Sequence, residues 1–218
     1  MFGDYMYDIV LFDLDGTLTD PGEGITNSVA YALNKFSITV KNRADLYCFI
    51  GPPLIDSFMK YYSMSYENGL KAVEYYREYF GVTGIFENHI FDGIPKLLSD
   101  IKKSGCKIAL ATSKPEVYAK RILEHFNLKQ YFDFIGGATM DESRSKKADV
   151  IDYTLKQLCV TDKSKVVMVG DRHHDIEGAN QNSIDSIGVL FGYGNKNELE
   201  TAGAKYIAET IDDIMKFL

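Results

Sequence analysis

The period of the apolar positions changes several times along the chain. Tyr7-Asp8-Ile9-Val10-Leu11-Phe12 is a short, dense apolar run closed by the polar Asp13-Leu14-Asp15-Gly16-Thr17, and it predicts a buried strand. Four similar runs follow, at Lys107 to Ala111, Phe132 to Ile135, Lys165 to Val169 and Ser186 to Leu190. Between them the apolar residues recur at helical spacing. Ile94, Leu97, Leu98 and Ile101 form one stripe, Val117, Ile122, Leu123 and Phe126 a second, and Val150, Ile151, Leu155 and Leu158 a third. Strands alternating with helices of this length predict an α/β fold, a three-layer α/β/α core around a mostly parallel sheet.

From Gly22 to about Asn88, within an insert spanning residues 18–88, that rhythm breaks. Three helical faces appear there and no convincing strand: Ile25, Val29, Leu33 and Phe36; Leu54, Phe58, Met59 and Tyr62; Leu70, Val73, Tyr76 and Phe80. The economical reading is a small all-helical domain inserted into a core made of residues 1–17 and 89–218. Tyr61, Tyr62, Tyr66, Tyr75, Tyr76 and Tyr79 concentrate there and are read as packing residues. No internal repeat or low-complexity tract is visible, and Ile211 to Leu218 predicts a short closing helix.

Composition narrows the class. The 218 residues are 45% hydrophobic and 25% charged, the profile of an ordinary globular protein. No apolar stretch is long enough to span a membrane, and Met1 to Tyr5 lack the basic start of a secretory leader, so a cytoplasmic location is expected. Cys48, Cys106 and Cys159 are widely spaced and are expected to be reduced thiols in or near cores. A net charge of −7 argues against polymeric nucleic acid or an anionic membrane as partner, while leaving room for a small phosphorylated metabolite in a locally positive pocket. The oligomeric state is not legible.

Four polar clusters sit at the ends of predicted strands or the start of a predicted helix. Asp13 and Asp15 can face one crevice while Leu14 faces away, and Gly16 permits a sharp turn off the sheet. Thr112-Ser113-Lys114 offers a hydroxyl, backbone N–H groups and a positive charge for phosphate oxygens. Arg144-Ser145-Lys146-Lys147 precedes a helical stripe, and periodicity alone puts either Lys146 or Lys147 on its inward face. Asp171 and Asp175 follow the apolar Val166 to Val169. Carboxylates crowded in this way repel unless a hard cation such as Mg²⁺ lies among them. A cation and a lysine that neutralise a phosphoryl group, one carboxylate that attacks it and another that moves protons would employ all four clusters.

Phe12-Asp13-Leu14-Asp15-Gly16-Thr17-Leu18 and Gly170-Asp171-x-x-x-Asp175 resemble the first and last signatures of the haloacid dehalogenase-like hydrolases, and the likeness runs along essentially the whole chain. The helical insert resembles the cap of the phosphoglycolate phosphatase-like branch. Gly51-Pro52-Pro53-Leu54, Ser143-Arg144-Ser145-x-Lys147 and Gly170-Asp171-Arg172-x-x-Asp175 are similar to the wording of bacterial 5'-nucleotidases. The resemblance implies a Rossmann-like core and an Mg²⁺-dependent phosphomonoesterase. Asp13 would be the nucleophile and Asp15 the acid and base. Asp13, Asp15 (through its backbone carbonyl), Asp171 and Asp175 would hold the metal. Thr112 and Lys147 would hold phosphoryl oxygens, with Lys147 preferred over Lys146 on the strength of the resemblance. Ser113 and Lys114 would assist, and Gly51 and Pro52 of the cap loop would border the leaving group.

Nucleoside 5'-monophosphates are the expected substrates, with phosphoglycolate or a broad set of small phosphate esters as the alternative. The flat, apolar side chains of Tyr47, Phe49, Ile50 and Leu54 suit a base, whereas Arg43 would suit a substrate carboxylate. A true dehalogenase and a phosphonatase would each lack the second carboxylate, which Asp15 supplies here. A sugar phosphomutase would keep both aspartates, and a non-catalytic scaffold would be expected to have lost one. His173 and His174 are read as surface-turn residues, since a zinc centre needs more soft ligands than the neighbouring sequence offers. His89 and Arg121 carry no stronger case. Gly192-Tyr193-Gly194 has no dinucleotide spacing and is read as a flexible loop at the same sheet edge.

Overall fold

A computed structural model describes residues 6–141 and 143–218. The N-terminal stretch considered above as a leader lies outside them. In chain order the elements are β1 (Ile9–Phe12), β2 (Thr19–Asp20), α1 (Gly22–Lys35), α2 (Leu54–Tyr62), α3 (Tyr66–Tyr79), β3 (His89–Ile90), α4 (Ile94–Lys103), β4 (Lys107–Pro115), α5 (Glu116–His125), β5 (Phe134–Ala138), α6 (Lys147–Gln157), β6 (Val166–Gly170), α7 (His173–Gln181), β7 (Asp185–Val189), α8 (Lys196–Thr201), β8 (Tyr206–Ala208) and α9 (Ile211–Ile214). Two compact units result, Met1–Thr19 with Ile90–Leu218, and Asp20–His89.

The first unit is built on a six-stranded sheet ordered β5-β4-β1-β6-β7-β8, with every pair parallel. The chain moves outward from β1 to β4 and β5, then returns to lay β6, β7 and β8 on the other side. The strand order therefore reverses at β1, and open α/β sheets place ligands at the C-terminal end of that switch point. Helices cover both faces, as the alternation of strands and helices predicts. Leu11 shares one core cluster with Ala109, Ala111, Met168 and the α6 residues Val150, Ile151 and Leu155. Val10 and Phe12, of opposite parity on β1, are also fully buried, as both faces of a covered strand require.

Four sequence expectations need adjustment in this unit. The edge strand β8 was not foreseen, because Tyr206-Ile207-Ala208 is too short to show a period. Strand β4 runs on to Pro115, and its pairing with β5 is irregular between Thr112 and Pro115. The closing helix α9 ends at Ile214. The three cysteines are free, with Cys106 buried but Cys159 exposed rather than in a core.

The second unit is helical. Phe49 packs on Phe58, Tyr61 and Tyr62, and its burial with Ile50 makes both part of this unit's core. The buried face of α3 is Gly69, Ala72, Val73 and Tyr76, so Leu70 is exposed rather than inward. The reason is close packing: a Cβ on Gly69 would lie 3.2 Å from Ile55 Cγ1, so a small residue faces α2 and the larger neighbour is turned out. Met59, Tyr61 and Tyr66 are likewise exposed, and Tyr76 is the buried tyrosine of the helical stripe. Among the described residues no helix is long and apolar enough to cross a membrane.

The shared core cluster sets the stability of the first unit. Leu11→Ala is expected to cost about 2–5 kcal/mol through lost burial and a residual cavity. Val82→Ala, at a side chain 73% exposed, should stay within about 0.5 kcal/mol. Equilibrium denaturant titration of both variants measures the difference.

Candidate active site

Register brings the polar clusters together. Phe12 pairs with Leu110 on one side and Val169 on the other, so Asp13, Ala111 and Gly170 come next on three adjacent strands. Asp13 N–H still donates to Val169 O at 2.9 Å, which anchors the first carboxylate to the sheet. Lys147 opens α6, and its side chain is 5% exposed. Its Nζ lies 2.7 Å from Asp13 Oδ1 and 2.8 Å from Asp175 Oδ1, and donates to Ala111 O at 3.0 Å. Lys146 is exposed, so the ambiguity left by periodicity resolves to Lys147.

Asp13, Asp171 and Asp175 are all buried and each offers an oxygen within 4.8 Å of the others. Burial, reinforced by Asp175 and Asp13, raises the proton affinity of Asp171 well above the ordinary carboxylate range. Burial also raises Asp175, although Lys147 opposes the shift. Burial alone would lower the Lys147 ammonium, but Asp13 and Asp175 outweigh it and raise it. These are oxygen donors with an excess of negative charge, a set that fits a hard divalent cation.

Asp15 lies apart from that trio. Its Oδ2 is 2.6 Å from Lys114 Nζ, a side chain 5% exposed, while its Oδ1 is buried without a hydrogen-bond partner. Burial raises the Asp15 carboxyl and Lys114 counteracts the rise. Lys114, expected to assist with phosphate oxygens, is paired with Asp15 in this structure. The irregular end of β4 permits this, with Lys114 N–H donating to the buried Thr112 Oγ1 at 3.2 Å. Ser113 is half-buried between them. Gly51 and Pro52 belong to the second unit, as does Arg43, whose Nη1 donates to Thr26 O at 2.8 Å.

Several supporting residues escaped the sequence reading. Thr17 Oγ1 donates to Asp171 Oδ1 at 3.2 Å, and Tyr193 N–H donates to Asp171 Oδ2 at 2.8 Å. The segment read as a flexible loop is therefore a clamp on Asp171. A Cβ on Gly192 would fall 2.3 Å from Gly16 O and 2.4 Å from Asp171 Cβ. Gly16 itself has φ +89° and would place a Cβ 2.3 Å from Asp171 Oδ2, so both positions need glycine. The unmatched glycine spacing was the only available signal. Glu198 was also missed: Oε1 accepts from Arg172 Nε at 2.8 Å and from His173 N–H at 2.9 Å, fixing the turn after Asp171.

Comparison with known proteins gives this nest of carboxylates and lysines its context, that of a hydrolase. The chain belongs to the haloacid dehalogenase-like hydrolase family, whose model matches residues 10–189. It is 44% identical over 193 residues to a 5'-nucleotidase of Pseudomonas aeruginosa, covering 88% of this chain and 87% of that one. It is 38% identical to the tyrosine-protein kinase PtkA of Mycobacterium tuberculosis, over 96% of this chain and 72% of the relative. The crystal structure of a predicted phosphatase from Clostridium acetobutylicum superposes with a TM-score of 0.93 at 49% identity, over 97% of both chains. The coarse class supported by these likenesses is a phosphatase of this family.

Asp171 yields a test that needs no substrate. A carboxyl whose proton affinity rises on folding favours the folded state fully at low pH, and that contribution is lost as pH climbs above the unfolded value of about 4. Metal-free protein should therefore lose stability between pH 4 and pH 8, and Asp171→Asn should remove part of that loss. Thermal melts in chelator should show the variant gaining more, relative to the parent, at pH 8 than at pH 4. An equal effect at both pH values would contradict the electrostatic account.

Proposed function

We propose that the chain is a divalent-cation-dependent phosphomonoesterase that carries the phosphoryl group on Asp13, with nucleoside 5'-monophosphates as preferred substrates. The observation that carries the chemistry is the pairing pattern: Lys147 on Asp13, Lys114 on Asp15, and a third site for positive charge among Asp13, Asp171 and Asp175. Mg²⁺ held by Asp13, Asp171, Asp175 and the backbone carbonyl of Asp15 would offset phosphoryl charge as the transition state forms.

In the first step an Asp13 oxygen attacks phosphorus and the bond to the leaving oxygen breaks. Asp15, whose burial favours its protonated form, donates the proton that the departing alkoxide needs. In the second step the Asp15 carboxylate takes a proton from water, the water oxygen attacks phosphorus, and Asp13 is released with inorganic phosphate. Lys147 stays beside Asp13 throughout and balances the anionic oxygens, while Thr112 and Ser113 offer the hydroxyl and N–H donors that orient them. Lys114 holds Asp15 Oδ2 and leaves Oδ1 without a hydrogen-bond partner, so Oδ1 is the oxygen available for proton transfer.

Preference for nucleotides draws support from the 5'-nucleotidase likeness and from the sequence argument about residues 47–54. Of those residues Phe49 and Ile50 are committed to packing, which leaves Tyr47 and Leu54, with Gly51 and Pro52 of the adjoining loop, as the candidates for substrate contact. The engagement of Arg43 with a backbone carbonyl weighs against its use for a substrate carboxylate.

The deciding experiment is a side-by-side kcat/KM comparison in Mg²⁺ of nucleoside monophosphates, phosphoglycolate, sugar phosphates and a phosphotyrosyl peptide, with ATP plus a tyrosine peptide to detect phosphoryl transfer. Nucleotides should lead. A tenfold advantage for phosphoglycolate, about 1.4 kcal/mol of transition-state discrimination, would overturn the substrate assignment. Asp13→Asn and Asp15→Asn should each lower kcat by at least ~10²-fold. Lys147→Ala should cost more than Lys146→Ala, and the reverse order would move the phosphate-balancing charge one residue back.

A further inference from the structure

The first turn of α7 carries a second group of donors that the phosphatase chemistry leaves unused. His173 and His174 open the helix, and Glu177 follows at i+4 and i+3 from them, so its side chain neighbours each of them on the helix surface. The imidazole centroids are 3.8 Å apart. A ring nitrogen from each histidine and a carboxylate oxygen of Glu177 lie within 4.8 Å of one another. The histidines are half-buried and Glu177 is exposed, so the patch is open to solvent on one side.

A second, independent feature points the same way. His173 Nδ1 is 2.8 Å from Glu198 Oε1, the oxygen that the Arg172 side chain and the His173 backbone N–H also hold. A carboxylate bonded to one ring nitrogen fixes the tautomer and leaves the other nitrogen as a lone-pair donor, which is how metal-ligating histidines are commonly oriented. Two imidazoles and one carboxylate with an open position match the donor set of a Zn²⁺-type cation, whereas the neighbouring nest holds only oxygens and suits a harder ion.

We infer that His173, His174 and Glu177 form a binding site for one borderline-soft divalent cation of the Zn²⁺ class, distinct from the carboxylate nest and positioned by Glu198. The sequence alone did not show it, because the nearby residues supply two nitrogen donors and the orienting carboxylate arrives from α8.

Zinc titration in saturating Mg²⁺ tests the inference, with Mg²⁺ occupying the carboxylate nest. Uptake is followed by competition with a chromogenic chelator and by the imidazole proton resonances. One equivalent of zinc should bind, and the resonances of both histidines should shift. His174→Gln and Glu177→Gln should each weaken binding at least tenfold, and Glu198→Gln by about 10–100-fold, the usual cost of losing an orienting partner. Glu177 is exposed, so its variant keeps the test sound should His174→Gln disturb folding; zinc-free thermal melts check both. No uptake in excess Mg²⁺, uptake unchanged in Glu177→Gln, or uptake lost in Asp171→Asn but kept in both α7 variants would each overturn the site.

Discussion

Negative charge concentrated at the end of one parallel sheet is the constraint on which the first unit depends. Asp13, Asp15, Asp171 and Asp175 stand there against the buried ammonium groups of Lys114 and Lys147. Two like charges about 4 Å apart at an effective dielectric near 20 repel by roughly 4 kcal/mol. Such a nest persists only if its members are held by bonds to the rest of the fold. The sheet holds Asp13, the turn after β6 holds Asp175 through the Arg172 N–H, and Thr17 and Tyr193 hold Asp171. Those restraints explain why two separate chain segments give up side chains beside Asp171, at Gly16 and Gly192.

Topology makes the concentration possible. Reversal of the strand order at β1 leaves a crevice that neighbouring crossovers do not fill, and β1, β4 and β6 all deliver polar residues to its rim. The same parity that sends Leu11 towards the core cluster containing Val150 and Ile151 is shared by Asp13, and Lys147 begins that very helix. Packing and charge pairing thus rest on one register, and a slip of one residue would break both.

Much of this was legible in the sequence, for physical reasons that differ by residue. The apolar runs of β1 and β6 are buried on both faces, so they stand out, and the carboxylates directly after them mark the sheet end. By periodicity alone Lys147 was one of two candidates, because a helical period of 3.6 lets adjacent residues compete for one face, and the family resemblance was what favoured it. The pairing of Lys114 with Asp15 was not legible, since it depends on an irregular register at the end of β4 and joins residues distant in the chain. The inward face of α3 was misjudged by one residue because close helix packing prefers Gly69 and Ala72 to the larger Leu70. Glu198 and the clamp at Gly192 to Gly194 act on Asp171 and its turn from beyond β7, where local pattern carries no trace of the partner.

The central claim is that the phosphoryl group passes through Asp13 rather than going directly to water. A crystal structure of the protein with Mg²⁺ and beryllium fluoride, a tetrahedral mimic of a carboxylate-bound phosphoryl group, tests it most directly. The account predicts beryllium bonded to an Asp13 carboxylate oxygen, with Lys147 against its fluorides. Beryllium fluoride bound to Asp15 or another residue, or held with no bond to any carboxylate, would contradict it.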